Sequence, residues 1–97
     1  MLTGKEKRHL RALGHNLKAV VLIGKREIEE PLVKETDAAL AAHELVKVKL
    51  HESCMLDRHE AAGKLASECN AEIAQVLGKT FLLYRPAETP VITLPAR

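Results

Sequence analysis

The side chains best suited to chemistry lie within nine residues, His51-Glu-Ser-Cys-Met-Leu-Asp-Arg-His59. Imidazole, thiolate and carboxylate groups are the ligands that zinc prefers, so His51, Cys54 and His59 form a candidate metal site. Their spacing matches no common zinc motif, and they span a predicted strand end, a loop and a helix start. We therefore predict that the protein holds neither a metal nor another cofactor.

Motifs of the common enzyme classes are missing from the sequence. It contains no GxGxxG or GxxxxGKS/T phosphate-binding loop, no GxSxG nucleophile and no HExxH metalloprotease pattern. The two cysteines, Cys54 and Cys69, are too few for a disulfide framework, and Cys69 fits a small core residue. We predict a protein that is not an enzyme.

The stretch from Val20 to Pro31 has an arrangement that proteins use to hold phosphate. Four apolar residues end at Gly24, the cations Lys25 and Arg26 follow, and a predicted helix begins shortly after. A helix N-terminus offers unpaired N–H groups to an anion. The alternative is that Gly24 only permits a tight turn and that both cations are solvated, because single glycines at strand ends are common.

Charge is distributed unevenly along the chain, although the net charge is only +2. Residues 1–26 carry seven basic side chains and one acidic one, residues 27–44 carry one basic and six acidic ones, and residues 45–97 have a net charge of +1. The basic residues of the first segment are Lys5, Lys7, Arg8, Arg11, Lys18, Lys25 and Arg26. A basic surface with so few acids predicts contact with a nucleic-acid backbone, whereas the alternative is a helix with one solvated face.

The hydrophobic pattern predicts three helices and four strands in the order αβαβαββ. The helices cover about residues 3–13, 29–42 and 57–70, and the strands cover residues 19–23, 45–50, 72–77 and 80–84. Thr3 and Glu6 have the spacing of a capping box, and Gly14 is expected to end the first helix. The continuous apolar run of the first strand predicts that both of its faces are buried. The second strand alternates apolar residues with Lys47 and Lys49, which predicts a face that presents two lysines to water or to a ligand.

We expect a compact α/β domain with a mixed four-stranded sheet, in two or three layers. Strands that alternate with helices predict parallel pairs joined by right-handed crossovers, and Gly78-Lys79 predicts a closing antiparallel hairpin with a type II′ turn. The last strand is apolar on both faces, so it is expected inside the sheet. Residues 86–97 then form an extended tail, in which Val91, Ile92 and Leu94 are available to cover the core.

The length of 97 residues predicts a single domain over residues 1–97. The first residues do not resemble a signal peptide and no run of about 18 apolar residues is present, so we expect a cytoplasmic protein with no membrane partner. Phe81 and Tyr84 are the only aromatic residues, and both fit the core. Without surface aromatics a stacking sheet of the RRM type is not expected, and no helix-turn-helix, zinc finger or basic zipper pattern is visible.

Four segments, taken in order, resemble bacterial YhbY-type proteins, the stand-alone form of the CRM (chloroplast RNA splicing and ribosome maturation) domain. They are the basic stretch Leu2 to Leu13, Val20-Val-Leu-Ile-Gly24, His43-Glu-Leu-Val-Lys-Val-Lys49, and Gly78-Lys-Thr-Phe-Leu-Leu-Tyr-Arg-Pro86. The similarity covers nearly the whole chain, including Ile92-Thr-Leu-Pro95. The resemblance implies a fold similar to the C-terminal domain of translation initiation factor 3, and an RNA-binding role associated with precursors of the large ribosomal subunit.

The resemblance also implies that the loop after the first strand is a glycine-x-x-glycine loop, of the kind that KH domains use to clamp a nucleic-acid backbone. Gly24 matches the first glycine, and Lys25 and Arg26 fill the variable positions. Glu27 stands where the family has its second glycine. Either Glu27 caps its own helix while Lys25 and Arg26 bind, which the two adjoining cations favour, or RNA contact here is weaker and the first helix carries more of it.

The sequence therefore predicts a monomeric RNA-binding protein of ribosome assembly, with large-subunit ribosomal RNA or a pre-ribosomal particle as its partner. The residues expected to contact RNA are Lys5, Lys7, Arg8, Arg11, Lys18, Gly24, Lys25, Arg26, Lys47 and Lys49. The alternative is a small protein-interaction module that uses the acidic second helix. Salt dependence of RNA binding separates the two, because phosphate contacts release counterions.

Overall fold

The computed structural model describes residues 1–95, so Ala96 and Arg97 of the predicted tail lie outside the described residues. All seven predicted elements are present. Their bounds are α1 (Gly4–Gly14), β1 (Ala19–Ile23), α2 (Glu30–His43), β2 (Leu45–Leu50), α3 (Arg58–Cys69), β3 (Glu72–Leu77) and β4 (Thr80–Tyr84). The predicted α/β class with a mixed four-stranded sheet is confirmed.

The four strands form one sheet in the order β1-β2-β4-β3. β1 and β2 are parallel, whereas β4 is antiparallel to both of its neighbours, β2 and β3. The prediction that β4 lies inside the sheet is confirmed. The predicted parallel pair is formed by β1 and β2. The strands that α3 connects, β2 and β3, run in the same direction but are not neighbours, because the hairpin inserts β4 between them.

The sheet separates two hydrophobic clusters, so the domain has three layers. On one face, α2 and α3 cover a cluster of fourteen buried residues that includes Val48, Leu65 and Phe81. On the other face, α1 and the tail cover a smaller cluster that includes Leu10 and Leu82. We call these the α2/α3 face and the α1 face of the sheet.

β1 is buried on one face only. Val21 and Ile23 point into the α2/α3 cluster, whereas Val20 and Leu22 are 54% and 52% exposed. The prediction of two buried faces is wrong, because β1 lies at the edge of the sheet and α1 packs mainly on β2 and β3. The α1 face of the sheet therefore remains open next to β1.

α1 begins as predicted and ends for a different reason. The capping box is formed: Glu6 N–H donates to Thr3 Oγ1 at 3.1 Å, and Thr3 N–H donates to Glu6 Oε1 at 2.8 Å. Gly14 is the last helical residue, but its φ is not positive, so it is not a left-handed cap. A Cβ at Gly14 would lie 2.5 Å from Leu82 Cδ1. The glycine thus permits close approach of α1 to the sheet.

The other helix ends follow the sequence closely. Asp57 caps α3 by accepting hydrogen bonds from two backbone N–H groups, and Asn70 ends it with a left-handed φ of 53°. Pro31 lies in the first turn of α2, as predicted. Cys69 is buried as expected, and burial raises the pKa of its thiol.

The β3–β4 hairpin has the predicted two-residue connection. Leu77 pairs with Thr80, and Gly78 has a φ of 58°. Lys79 does not adopt a positive φ, so the turn is type II′ rather than type I′. Phe81 and Tyr84 are both buried, which confirms their placement in the core.

The tail is fastened to the α1 face by a buried carboxylate, Glu44. Its two oxygens accept hydrogen bonds from the backbone N–H groups of Ala87, Val91 and Ile92, at 2.7 to 2.8 Å. Ile92 and Leu94 pack on the smaller cluster, as predicted. The prediction is wrong for Val91, whose side chain is 84% exposed although its backbone N–H group binds Glu44.

Candidate nucleic-acid interface

α1 places its predicted RNA-binding residues in solvent. Glu6, Leu10 and Gly14 recur every four residues and form the buried side of the helix. The four cations on the remaining surface are all exposed, and they are Lys5, Lys7, Arg8 and Arg11. Because the buried side of α1 packs on the sheet, its cations point away from the sheet and into solvent.

The lysines of β2 lie on the same side of the molecule. Leu45 packs in the cluster beneath α1, so the alternation of the strand places Lys47 and Lys49 on that face as well. The strand register sets Lys47 beside Ala19 and Lys49 beside Leu22. Lys49 is exposed and Lys47 is half-buried. The open part of the sheet next to β1 is thus lined by cations.

Loop 24–27 is a tight turn at the end of β1. Glu27 N–H donates to the Gly24 carbonyl at 3.0 Å, and Lys25 and Arg26 occupy the exposed corners. Glu27 has a φ of 58°, in the left-handed region that favours glycine. α2 begins later, with Glu29 as an N-cap that makes no side-chain hydrogen bond. The prediction that Glu27 caps its own helix is therefore wrong.

Gly24 is not required by the fold. Its φ is not positive, and a Cβ built on it would meet no atom within 4 Å. The backbone at Gly24 is consequently open to a molecule approaching from outside. This is the geometry expected of a glycine that allows close contact between protein backbone and a ligand.

The sheet separates basic from acidic surface. The α1 face carries the cations of α1, together with Lys47 and Lys49. α2 lies on the opposite face, where its exposed acids are Glu30, Glu35 and Asp37. A cleft of about 440 Å³ between loop 24–27 and α2 is lined by the carboxylates of Glu27, Glu29 and Glu35 and by the cations Lys25 and Arg26. The α1 face is therefore the side suited to a polyanion, whereas the cleft carries charges of both signs.

Two further cations lie at the end of the sheet from which loop 24–27 projects. His51 N–H donates to the Ile23 carbonyl, and Leu50 N–H donates to the Lys79 carbonyl, so the hairpin adjoins the end of β1 and β2. Arg58 Nη1 donates to the Gly78 carbonyl at 3.3 Å. Sequence reasoning missed Lys79 and Arg58, because only the strand pairing brings the hairpin next to this edge.

The candidate metal residues do not converge. His51 Nδ1 lies 2.8 Å from Ser53 Oγ, a contact within the loop. Within residues 1–95, no three His, Cys, Asp or Glu side chains are grouped so that they could hold a metal ion. In that same part of the chain, none of the helices has the length and apolar character needed to cross a membrane.

Curated relatives match over almost all of this chain. "Probable RNA-binding protein YqeI" from Bacillus subtilis is 35% identical over 96 residues, which cover 98% of this chain and 100% of that protein. "Probable RNA-binding protein MJ0652" from Methanocaldococcus jannaschii is 46% identical over 89 residues, which cover 90% of this chain and 66% of that protein. The chain thus matches the whole of one relative and just under two thirds of the other.

A solved structure agrees with the fold. The solution structure of the hypothetical protein SAV1595 from Staphylococcus aureus has a TM-score of 0.83 and 40% sequence identity, and the match covers 98% of this chain and 100% of that chain. Similarity to the C-terminal domain of translation initiation factor 3 stays a prediction. The profile of the CRS1 / YhbY (CRM) domain matches residues 2–85. On this match and these relatives, the chain belongs to the CRS1/YhbY (CRM) domain family.

Proposed function

We propose that this protein binds RNA through the sugar-phosphate backbone, using the side of the molecule on which the α1 face lies. The observation that carries the proposal is the separation of charge by the sheet, with exposed cations on the α1 face and carboxylates on α2. Names of the relatives, which call them probable RNA-binding proteins, support the same partner. No catalytic step is part of the proposal.

Three groups of residues share the binding. The first group is the cations of α1, which form a broad positive surface. The second group lines the open part of the sheet and consists of Lys18, Lys47 and Lys49. The third group is in loop 24–27, where Lys25 and Arg26 lie beside the open backbone of Gly24. Such contacts position RNA without reading its sequence, because every nucleotide carries the same phosphate. Recognition of a particular RNA then depends on its shape.

The further proposal is that the RNA is large-subunit ribosomal RNA and that the protein assists ribosome assembly as a cytoplasmic monomer. It rests on the resemblance to YhbY-type proteins. Sedimentation of cell extract on a gradient tests it: the protein should travel with precursors of the large subunit. Recovery only at the top of the gradient would contradict the ribosomal role and leave RNA binding itself standing.

Salt titration of RNA binding tests the proposed surface. Phosphate contacts make log K fall linearly with log salt, with a slope of about 0.7 to 0.9 for each phosphate neutralised. The double variant Lys25→Glu, Arg26→Glu should therefore bind structured RNA more weakly and lose about 1.5 from the slope.

The matched control reverses two charges on the opposite face, Lys34→Glu with Lys64→Glu, and should leave the slope unchanged. Equal slopes for the wild type and the loop variant would show that the loop does not contact phosphate. If the control lost more of the salt slope than the loop variant, the result would favour an interface on α2, the alternative surface.

A further inference from the structure

An apolar groove adjoins the proposed phosphate-binding residues. It has a volume of about 400 Å³ and lies between the C-terminal end of α1, the start of β1 and the tail. Leu13, Leu17 and Val20 form its apolar walls and are 42%, 39% and 54% exposed. Side chains of this size are normally buried, so their common exposure in one concave site indicates a binding surface.

The charges around the apolar groove have one sign. Its ionisable lining residues are Lys18, His43 and Lys47, and no acidic residue lines it within the described chain. The cleft beside loop 24–27 differs, since three carboxylates line it together with Lys25 and Arg26. A molecule that suits the apolar groove therefore combines an apolar face with negative charge.

The backbone of β1 directs Val20 into the groove. The pairing of β1 with β2 shifts register between Ala19 and Val21, so Val20 lies in a β-bulge. Bulges redirect side chains and interrupt the regular edge that a further strand would need. The same bulge that presents Val20 thus makes strand addition by a peptide or a second copy of this chain a poor fit here.

We propose that the apolar groove holds an unpaired base of the bound RNA, while the phosphates that flank the base contact Lys18 and Lys47. The inference rests on the proposed RNA-binding function and adds the class of RNA, namely single-stranded segments. A base has two flat faces that gain from contact with aliphatic walls, and its nucleotide supplies the negative charge that the rim requires.

The position of the apolar groove fits a strand of RNA that follows β1. The groove lies at the start of β1 and loop 24–27 lies at its end, about 17 Å away for five residues of strand. Lys49 is placed between them, beside Leu22. A single strand along this line contacts lysine at both ends, whereas the bases of a duplex are paired and stacked and cannot enter the groove.

The test compares a short oligouridine with a blunt RNA duplex of equal charge, by fluorescence anisotropy. The variant Leu17→Ser, Val20→Thr removes apolar wall and leaves every charge in place. It should bind oligouridine about tenfold more weakly and the duplex unchanged, since apolar contact area with the base is lost. The salt slope should not change, because no phosphate contact is lost.

Two controls separate binding from folding. Leu77→Ser changes an exposed apolar residue on β3, at the far edge of the sheet, and should leave both affinities unchanged. In the unaltered protein, methyl NMR signals of Leu13, Leu17 and Val20 should shift when oligouridine is added and stay in place with the duplex.

Other outcomes overturn the inference in distinguishable ways. If the wild type binds oligouridine and the double variant binds it equally well with no methyl shifts, the groove holds no base and the proposed function stands. If the wild type binds neither RNA at low salt, the proposed function itself fails. If the wild type is a dimer, and the double variant is a monomer with unchanged RNA affinity, the groove is a contact between copies of this chain.

Discussion

Glu27 occupies a backbone position that suits glycine. It closes the turn of loop 24–27 with a φ of 58°, which strains a residue that has a Cβ by about 1 to 2 kcal/mol. Glu27→Gly removes this strain but adds freedom to the unfolded chain, so we expect a net stabilisation of about 0.5 to 1 kcal/mol. Chemical denaturation of both proteins measures the difference.

The same substitution should strengthen RNA binding, because it removes a carboxylate next to Lys25 and Arg26. Glu27→Gln is the matched control: it removes the charge and keeps the Cβ, so affinity should rise while stability stays the same. If Glu27→Gln bound RNA no better than the wild type, the charge of Glu27 would not oppose the phosphate contact.

Gly24 tests contact with the protein backbone. Gly24→Ala should leave the free energy of unfolding within about 0.5 kcal/mol, since the methyl group meets no protein atom within 4 Å and φ is not positive. RNA affinity should fall severalfold if the strand passes over this backbone, as the proposal requires. An unchanged affinity would show that Gly24 is only a turn residue.

Glu44 makes the tail sensitive to acid. The backbone N–H group of Ala87, followed by those of Ile92 and Val91, lowers the pKa of this carboxyl below its ordinary 4.5, against the opposing effect of burial. A group with a lowered folded pKa stabilises the fold above its unfolded pKa, and this contribution is lost as the pH falls through the folded value. We therefore expect the tail to loosen only in acid.

The variant Glu44→Gln isolates this effect. One oxygen is replaced by an amide that cannot accept a hydrogen bond, so the variant should be less stable by about 2 kcal/mol at neutral pH. That difference should shrink as the pH falls below 4.5. Denaturation across a pH series, with hydrogen exchange at Ala87 and Val91, measures the stability difference and its dependence on pH. A difference that does not depend on pH would mean that the charge of Glu44 does not hold the tail.

Elements whose signals are local could be predicted from the sequence. Thr3 and Glu6 are three residues apart and cap α1, and Asp57 and Asn70 bound α3, because each depends only on its own helix. The role of Gly14 could not be predicted in this way. Its neighbour Leu82 is distant in sequence, so only the packed structure shows why a side chain does not fit there.

Two glycines in helices allow a matched test of this packing. Gly14→Ala places a methyl group against the buried Leu82 and should destabilise the protein by about 1 to 3 kcal/mol. Gly63→Ala lies on the exposed side of α3 with open space around it, so the higher helix propensity of alanine should stabilise by about 0.5 to 1 kcal/mol. Thermal denaturation compares them. If both substitutions stabilised the protein, Leu82 would repack at no cost, and the close approach of α1 to the sheet would not require glycine at position 14.

At the scale of the whole molecule, the order of the strands in the sheet could not be predicted from the sequence. A continuous apolar run is typical of a strand buried on both faces, yet β1 lies at an edge, and its exposed Val20 lines the apolar groove. Of the candidate residues, the cations could be chosen by type from the sequence. Which of them share a face, and that Lys79 joins them, depends on pairing between strands that are distant in sequence.

The two layers that cover the sheet differ in size, which predicts a difference in stability. The described residues buried beneath α2 and α3 number fourteen, against six beneath α1 and the tail. A layer with less buried apolar surface opens at lower free energy. We expect hydrogen exchange in low denaturant to show α1 amides exchanging through an opening that leaves β4 protected. Bound RNA should raise the protection of α1.

Two substitutions decide whether α1 opens separately. Ala62→Gly in α3 should lower the free energy of global opening, measured at β4 amides, by about 1 kcal/mol and leave the opening of α1 unchanged, because the α3 contacts persist while α1 is open. Leu10→Ala should lower the free energies of global opening and of α1 opening by about 3 kcal/mol each, since the contacts of Leu10 are lost in either opening. If Ala62→Gly lowered the two values equally, α1 would unfold only with the whole domain. The charged layer proposed to bind RNA would then be as rigid as the core beneath it.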